Sequence, residues 1–146
     1  MQTTLKITKT EPDVILPNYQ TPGSAGFDLH SNKDYVIRPN ERLLVATGLK
    51  MELEVGTELQ IRPRSGLSFK EGITVLNSPG TIDSDYRGEV HVMLINHSTV
   101  TYKIKRGDRV AQGVVLKLPS VNIVEVTEEE LTDTERSKGG FGSTGR

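Results

Sequence analysis

Apolar and β-branched residues along this chain gather in short runs separated by turn-forming residues. The runs are Leu5–Thr8, Tyr35–Arg38, Arg42–Thr47, Glu58–Arg62, Ile73–Leu76, Glu89–Asn96, Thr101–Lys105, Val110–Leu118 and Val121–Val126. Such runs read as strands when reversals fall between them. The reversals are there: Pro39-Asn40, Val55-Gly56, Glu71-Gly72, Pro79-Gly80, Asn96-His97-Ser98 and Arg106-Gly107-Asp108. Helical periodicity is nearly absent. Only Ser65–Lys70 has the composition of a short helix, with Ser65 as its expected cap. Many short strands in one domain predict an all-β fold: a sandwich, a jelly roll or a small, distorted barrel.

After Val126 the pattern stops. Residues 127–135 are acidic, and the stretch from Arg136 to Arg146 is rich in glycine and hydroxyl residues, with almost nothing apolar to bury. The division expected is a β domain over 1–126 and an acidic linker with a Gly-rich flap over 127–146. Ordering such a tail costs much backbone entropy, so a partner is needed to hold it. A plain solubilising terminus is one reading. The other rests on Phe141, an aromatic among glycines and hydroxyls with Arg136 and Arg146 on either side, the set a flap needs to close on a base and its phosphates.

Composition narrows the functions. The 146 residues suit one domain; hydrophobic residues make up 34% and aromatics 5%, with no Trp. That is a thin supply for a private core, and subunit contacts are an expected source of further burial. A net charge of −1 argues against a duplex nucleic acid gripped through many phosphates. Zero Cys excludes disulfides, thiolate metal sites and cysteine nucleophiles. Residues Met1 to Thr10 carry no apolar leader and no run is long enough to span a bilayer, so a cytoplasmic protein without membrane partners is expected.

The chemistry concentrates in Gly80-Thr81-Ile82-Asp83-Ser84-Asp85-Tyr86-Arg87-Gly88, with two carboxylates, a tyrosine and a guanidinium between two glycines. A plain hairpin gains nothing from charges of both signs crowded at its tip. Arg62-Pro63-Arg64-Ser65-Gly66-Leu67 sets two guanidiniums and a hydroxyl where a strand passes into the expected helix, either as ordinary capping or as a phosphate cradle. Gly23-Ser24-Ala25-Gly26-Phe27-Asp28-Leu29 closes small residues on a carboxylate, and Arg109-Val110-Ala111-Gln112 reads as a strand with polar side chains. His30, His91 and His97 have no ligand spacing and read as structural or surface residues. Hydrolase elbows, HExxH zinc sites, phosphate-binding loops and dinucleotide fingerprints are missing. Hard oxygen donors at Asp28, Asp83 and Asp85 beside anion sites favour Mg²⁺-assisted chemistry at a phosphate.

Taken in order, Ala25–Leu29, Pro63–Leu67, Gly80–Gly88, Arg109–Gln112 and Gly139–Gly145 resemble the five motifs of the trimeric dUTPases. The resemblance implies a β jelly-roll subunit, a homotrimer with sites shared between chains, and Mg²⁺-dependent hydrolysis of dUTP to dUMP and diphosphate. Such an enzyme keeps dUTP low and supplies dUMP for dTMP synthesis. It further implies that Asp83 activates the attacking water and that the Tyr86 ring packs on the deoxyribose, leaving no space for a 2′-hydroxyl. Asn77, Gly80 and Ile82 would belong to the uracil pocket. Arg64, Ser65, Gly66 and Gln112 would meet the phosphates, and Asp28 would reach the metal through water. In the tail, Phe141 would stack on uracil while Arg136, Gly142, Ser143 and Thr144 close over the triphosphate. Here Arg136-Ser137-Lys138 replaces the family's more frequent Arg-Gly lead-in. Two other readings on the same scaffold are a dCTP deaminase, against which the tyrosine-bearing loop speaks, and a dUTP-sensing regulatory protein.

Overall fold

The structure, a computed structural model, describes residues 2–145; Met1 and Arg146, both part of the sequence reading above, lie outside it. Ten strands make up most of the regular secondary structure: β1 (Lys6–Lys9), β2 (Phe27–His30), β3 (Tyr35–Ile37), β4 (Arg42–Glu52), β5 (Thr57–Arg62), β6 (Ile73–Val75), β7 (Gly80–Ile82), β8 (Glu89–Asn96), β9 (Tyr102–Ile104) and β10 (Arg109–Lys117). One helix, α1 (Ser65–Glu71), and a 3₁₀ turn at Glu128–Glu130 complete the set. Two four-stranded antiparallel sheets, β1-β4-β8-β6 and β2-β10-β5-β7, are joined by one continuous apolar core, with β3 and β9 as a separate ribbon. The fold is all-β, as the run pattern predicts.

Alternation of period two fills the core. On β5, Thr57, Leu59 and Ile61 are buried while Glu58, Gln60 and Arg62 face outward; on β8, Val90, Val92, Leu94 and Asn96 point in. Asn96 is fully buried and fully satisfied. Its Nδ2 donates to the carbonyls of Ile37 (3.0 Å) and Val100 (2.8 Å), and its Oδ1 accepts from the Ser98 N–H (2.9 Å). A buried amide so paired avoids the desolvation cost of unmet donors and acceptors and ties β8 to β3 and the following turn.

Four expectations change. Strands β2 and β7 fall in segments whose glycines and small residues mask them, and β4 runs on to Glu52 through an irregularity at Gly48. Gly48 has φ 72°, and a Cβ there would press into Val14 and Asn32, at 2.6 and 2.9 Å. Ser65 does not cap α1: the N-cap position belongs to Arg64, in extended conformation and without a side-chain capping bond, and Ser65 is the first helical residue. The helix ends as glycine allows, with Gly72 in the left-handed region and its N–H on the carbonyls of Leu67 and Ser68. Residues Val121–Val126 form no strand in their own subunit. They are exposed, with Ile123 at 92%, and pair with no strand among the described residues.

Candidate active site

Strand β10 lies between β2 and β5, and its register sets Gln112 opposite both Asp28 and Arg62. The row places a carboxylate and an amide beside the turn that leaves β5 through Pro63. Gln112 fixes that turn by donating from Nε2 to the Pro63 carbonyl at 3.0 Å. Asp28 is almost wholly buried and held by two guanidiniums, Arg64 Nε at 3.2 Å from Oδ1 and Arg109 Nη1 at 3.6 Å from Oδ2. Arg64 also donates to the Arg109 carbonyl at 3.4 Å. One carboxylate between two arginines leaves a net positive charge facing a cavity of about 340 Å³, lined by Gly26, Asp28, Arg64, Ser65, Arg109 and Gln112, with Gly66 also at its wall. It is a site for an anion.

Gly26 is required by close approach: a Cβ there would lie 2.8 Å from Gln112 Oε1 and 3.2 Å from the Gly113 carbonyl. His30, two residues beyond Asp28 on β2, has its pKa lowered by burial, with Arg109 and Arg64 adding to the effect and Asp28 opposing it. Its buried Nδ1 has no hydrogen-bond partner among the described residues.

A second group of expected residues sits elsewhere. β7 runs antiparallel to β5 with Ile61 opposite Gly80 and Leu59 opposite Ile82, so the chain moves away from Arg64 before it reaches Asp83. Extending that register puts Asp83 beside Glu58; the strand from Glu58 to Arg62 alone covers about 13 Å, and Arg64 lies further still. The Asn77 amide rests over Gly80, where a Cβ would meet Nδ2 at 3.3 Å. Asp83 is exposed, and its carbonyl accepts the Tyr86 N–H at 3.1 Å. Arg87 pins the turn through its Nη1 to the carbonyls of Ser84 (2.7 Å) and Tyr86 (3.1 Å). The Tyr86 ring folds back over Gly88, its hydroxyl on the Glu89 carbonyl at 3.1 Å, and any Cβ at Gly88 would overlap that hydroxyl. The ring is thereby oriented with a face left open.

The expected residues therefore fall into two half-sites: Asp28, Arg64, Ser65, Gly66 and Gln112 around the Arg62 end of β5, and Asn77, Gly80, Ile82, Asp83 and Tyr86 along β7 and its turns, which start opposite Ile61 and carry Asp83 toward the Thr57 end. The tail joins neither. Arg136 turns on itself, Nε to the Gly139 carbonyl at 2.9 Å, and Phe141 is fully exposed, with Gly142, Ser143 and Thr144 in the turns beyond it.

The residues matched by the dUTPase family model run from 13 to 145, across both half-sites and the tail. This chain belongs to the dUTPase family. A deoxyuridine 5'-triphosphate nucleotidohydrolase of Nautilia profundicola is 59% identical over 97% of this chain and 99% of its own length. Another, from Wolinella succinogenes, is 54% identical over 97% and 94%. Among solved structures, a Staphylococcus bacteriophage 80alpha dUTPase mutant with dUpNHpp superposes with a TM-score of 0.88 at 23% identity, covering 98% of this chain and 99% of that one. A phage phi11 dUTPase mutant described with a structural Mg(II) ion has a TM-score of 0.78 at 22% identity, over 88% and 99%. Both likenesses speak to the fold.

Arg109, Gln20 and Ser24 line the anion cavity and were not among the residues expected from sequence. Arg109 heads the fourth motif in the sequence but was given no role there; its contact with Asp28 depends on β10 pairing with β2. No group of three metal-ligating side chains occurs among the described residues. Asp28 has both oxygens in ion pairs, but each carboxylate oxygen keeps a lone pair for a water. That suits contact with a hydrated cation, not direct coordination.

Proposed function

We propose that this protein hydrolyses dUTP to dUMP and diphosphate at a site completed by a second and third copy of the chain, in a homotrimer. The observation that carries the reading is the separation of the two half-sites along β5, in a chain of the dUTPase family. A base must lie within hydrogen-bond reach of the water it activates. Asp83 cannot serve a phosphate held by its own Arg64 and Ser65, so the acid of one chain works on a phosphate held by the next. The unpaired arm at Val121–Val126 and the exposed tail supply the means for chains to cross.

In this reading the triphosphate enters the cavity of Asp28, Arg64, Ser65, Gly66 and Gln112. Asp28 would hold a magnesium ion through its water shell, and that ion would supply positive charge to offset the phosphates. Asp83 of the facing chain takes a proton from water as that water attacks the α-phosphorus, and the bond to the bridging oxygen breaks with diphosphate leaving. Uracil lies in the turn of Asn77, Gly80 and Ile82. Cytosine would set its amine against donors there, and each unpaired buried polar group costs about 1–3 kcal/mol. Tyr86 covers the sugar and excludes a 2′-hydroxyl. Residues 127–146 act as linker and flap, with Phe141 over the base and Arg136, Gly142, Ser143 and Thr144 over the phosphates, shutting out bulk water.

Diphosphate release measured side by side with dUTP, dCTP and UTP tests the whole scheme. Turnover of dUTP alone is expected. Equal turnover of dCTP would overturn the base pocket, and tight dUTP binding without turnover would turn the protein into a sensor.

A further inference from the structure

Arg64, Gly66 and Arg109 also line a second cavity, of about 490 Å³, which adjoins the anion cavity already described and shares these residues with it. Its other polar groups are Lys70, Tyr102, Glu71 and Asp108, and little of its wall is apolar beyond Leu67. Lys70, in the last turn of α1, is exposed and makes no hydrogen bond or ion pair among the described residues. The half-buried Tyr102 packs its ring against the core, and its hydroxyl likewise has no partner there. Burial, with Asp108 and Glu71 nearby and Arg64 opposing, raises the Tyr102 pKa, so the phenol stays protonated and can donate. Asp108 is occupied, accepting the Lys105 N–H through Oδ2 at 2.8 Å.

Lys70 and a phenol converge here with Arg64 and Arg109, which also hold Asp28, and Glu71 and Asp108 stand against them. With so little apolar wall the cavity offers nothing to a base or a sugar, and its chemistry suits a small, multiply charged oxyanion. We propose that it is a second oxyanion subsite, which receives diphosphate as it leaves the phosphate cavity, with Lys70 and the Tyr102 hydroxyl as its own donors and Arg64 and Arg109 shared between the two. This rests on the hydrolysis proposed above, whose leaving group is such an anion. Departure then exchanges one set of donors for the next, and the product need not regain its whole hydration shell in a single step.

The test is calorimetric titration of inorganic diphosphate into the full chain, paired with its inhibition of dUTP turnover. Lys70→Met is expected to weaken diphosphate binding about tenfold, the loss of one charge-assisted hydrogen bond. Tyr102→Phe, which keeps the ring and its packing, should weaken it several-fold, and Lys70→Arg should restore it. KM for dUTP and inhibition by dUMP should not move in any of the three. Unchanged diphosphate affinity in Lys70→Met overturns the subsite, as does a KM that rises in proportion, since diphosphate would then use the phosphate cavity alone. The titration needs no turnover, so a chain that failed to hydrolyse dUTP would refute the proposed function while the subsite was still read separately.

Discussion

Asp83 lies exposed on a turn held by its neighbours rather than by its own carboxylate, and that makes its chemistry separable from the fold. The turn is fixed by Arg87 on two carbonyls and by the Tyr86 N–H on the Asp83 carbonyl. Asp83→Asn leaves all of these in place and removes only the proton acceptor. Turnover should fall by about 10²–10⁴, the usual range for a lost general base, while a non-hydrolysable dUTP analogue binds as before by calorimetry. Loss of binding together with turnover would mean that the carboxylate holds the substrate. Tyr86 depends on Gly88 more than on any side chain, because a Cβ at position 88 would occupy the place of its hydroxyl. Gly88→Ala should therefore swing the ring off the Glu89 carbonyl and raise kcat/KM for UTP relative to dUTP; an unchanged ratio would refute the role given to the ring.

At the level of elements, the strands with a clear apolar run and flanking turns were legible in the sequence, and α1 was found within a residue of its end. The misses share a cause. β2 and β7 are short and begin among glycines and small residues whose value lies in close approach, as at Gly26 against Gln112, and such contacts exist only once another strand is present. The same holds for the site: motif residues could be named one by one, but Arg109 acquires a role only through the β2–β10 register. Val121–Val126 was misplaced for the opposite reason. Its sequence has strand character, but no strand among the described residues pairs with it. If a sheet edge or face of another copy covers it, Ile123→Lys should lower the mass measured by sedimentation while the monomer's circular dichroism persists. A variant that sediments like the parent chain would remove the arm from the account of assembly.

For the whole molecule, the geometry of β5 has a consequence that a site within one chain could not have. In the proposed trimer the phosphate half-site of each subunit works with the Asp83 half-site of another, so two variants damaged at different ends should repair one another. Arg64→Ala removes a cation from the phosphate cavity and leaves Asp83 intact; Asp83→Asn does the reverse. Each should be nearly inactive alone. Mixed through unfolding and reassembly at equal amounts, a pairing is sound when its phosphate half comes from an Asp83→Asn chain and its acid from an Arg64→Ala chain. Random closure of a ring gives each condition a chance of one half, so activity should return to about one quarter of the parent value. The tails are intact in both variants and do not alter the count. A mixture as inactive as its components would mean that the two half-sites serve the same nucleotide within one subunit, which the separation along β5 does not allow without a rearrangement of the sheet.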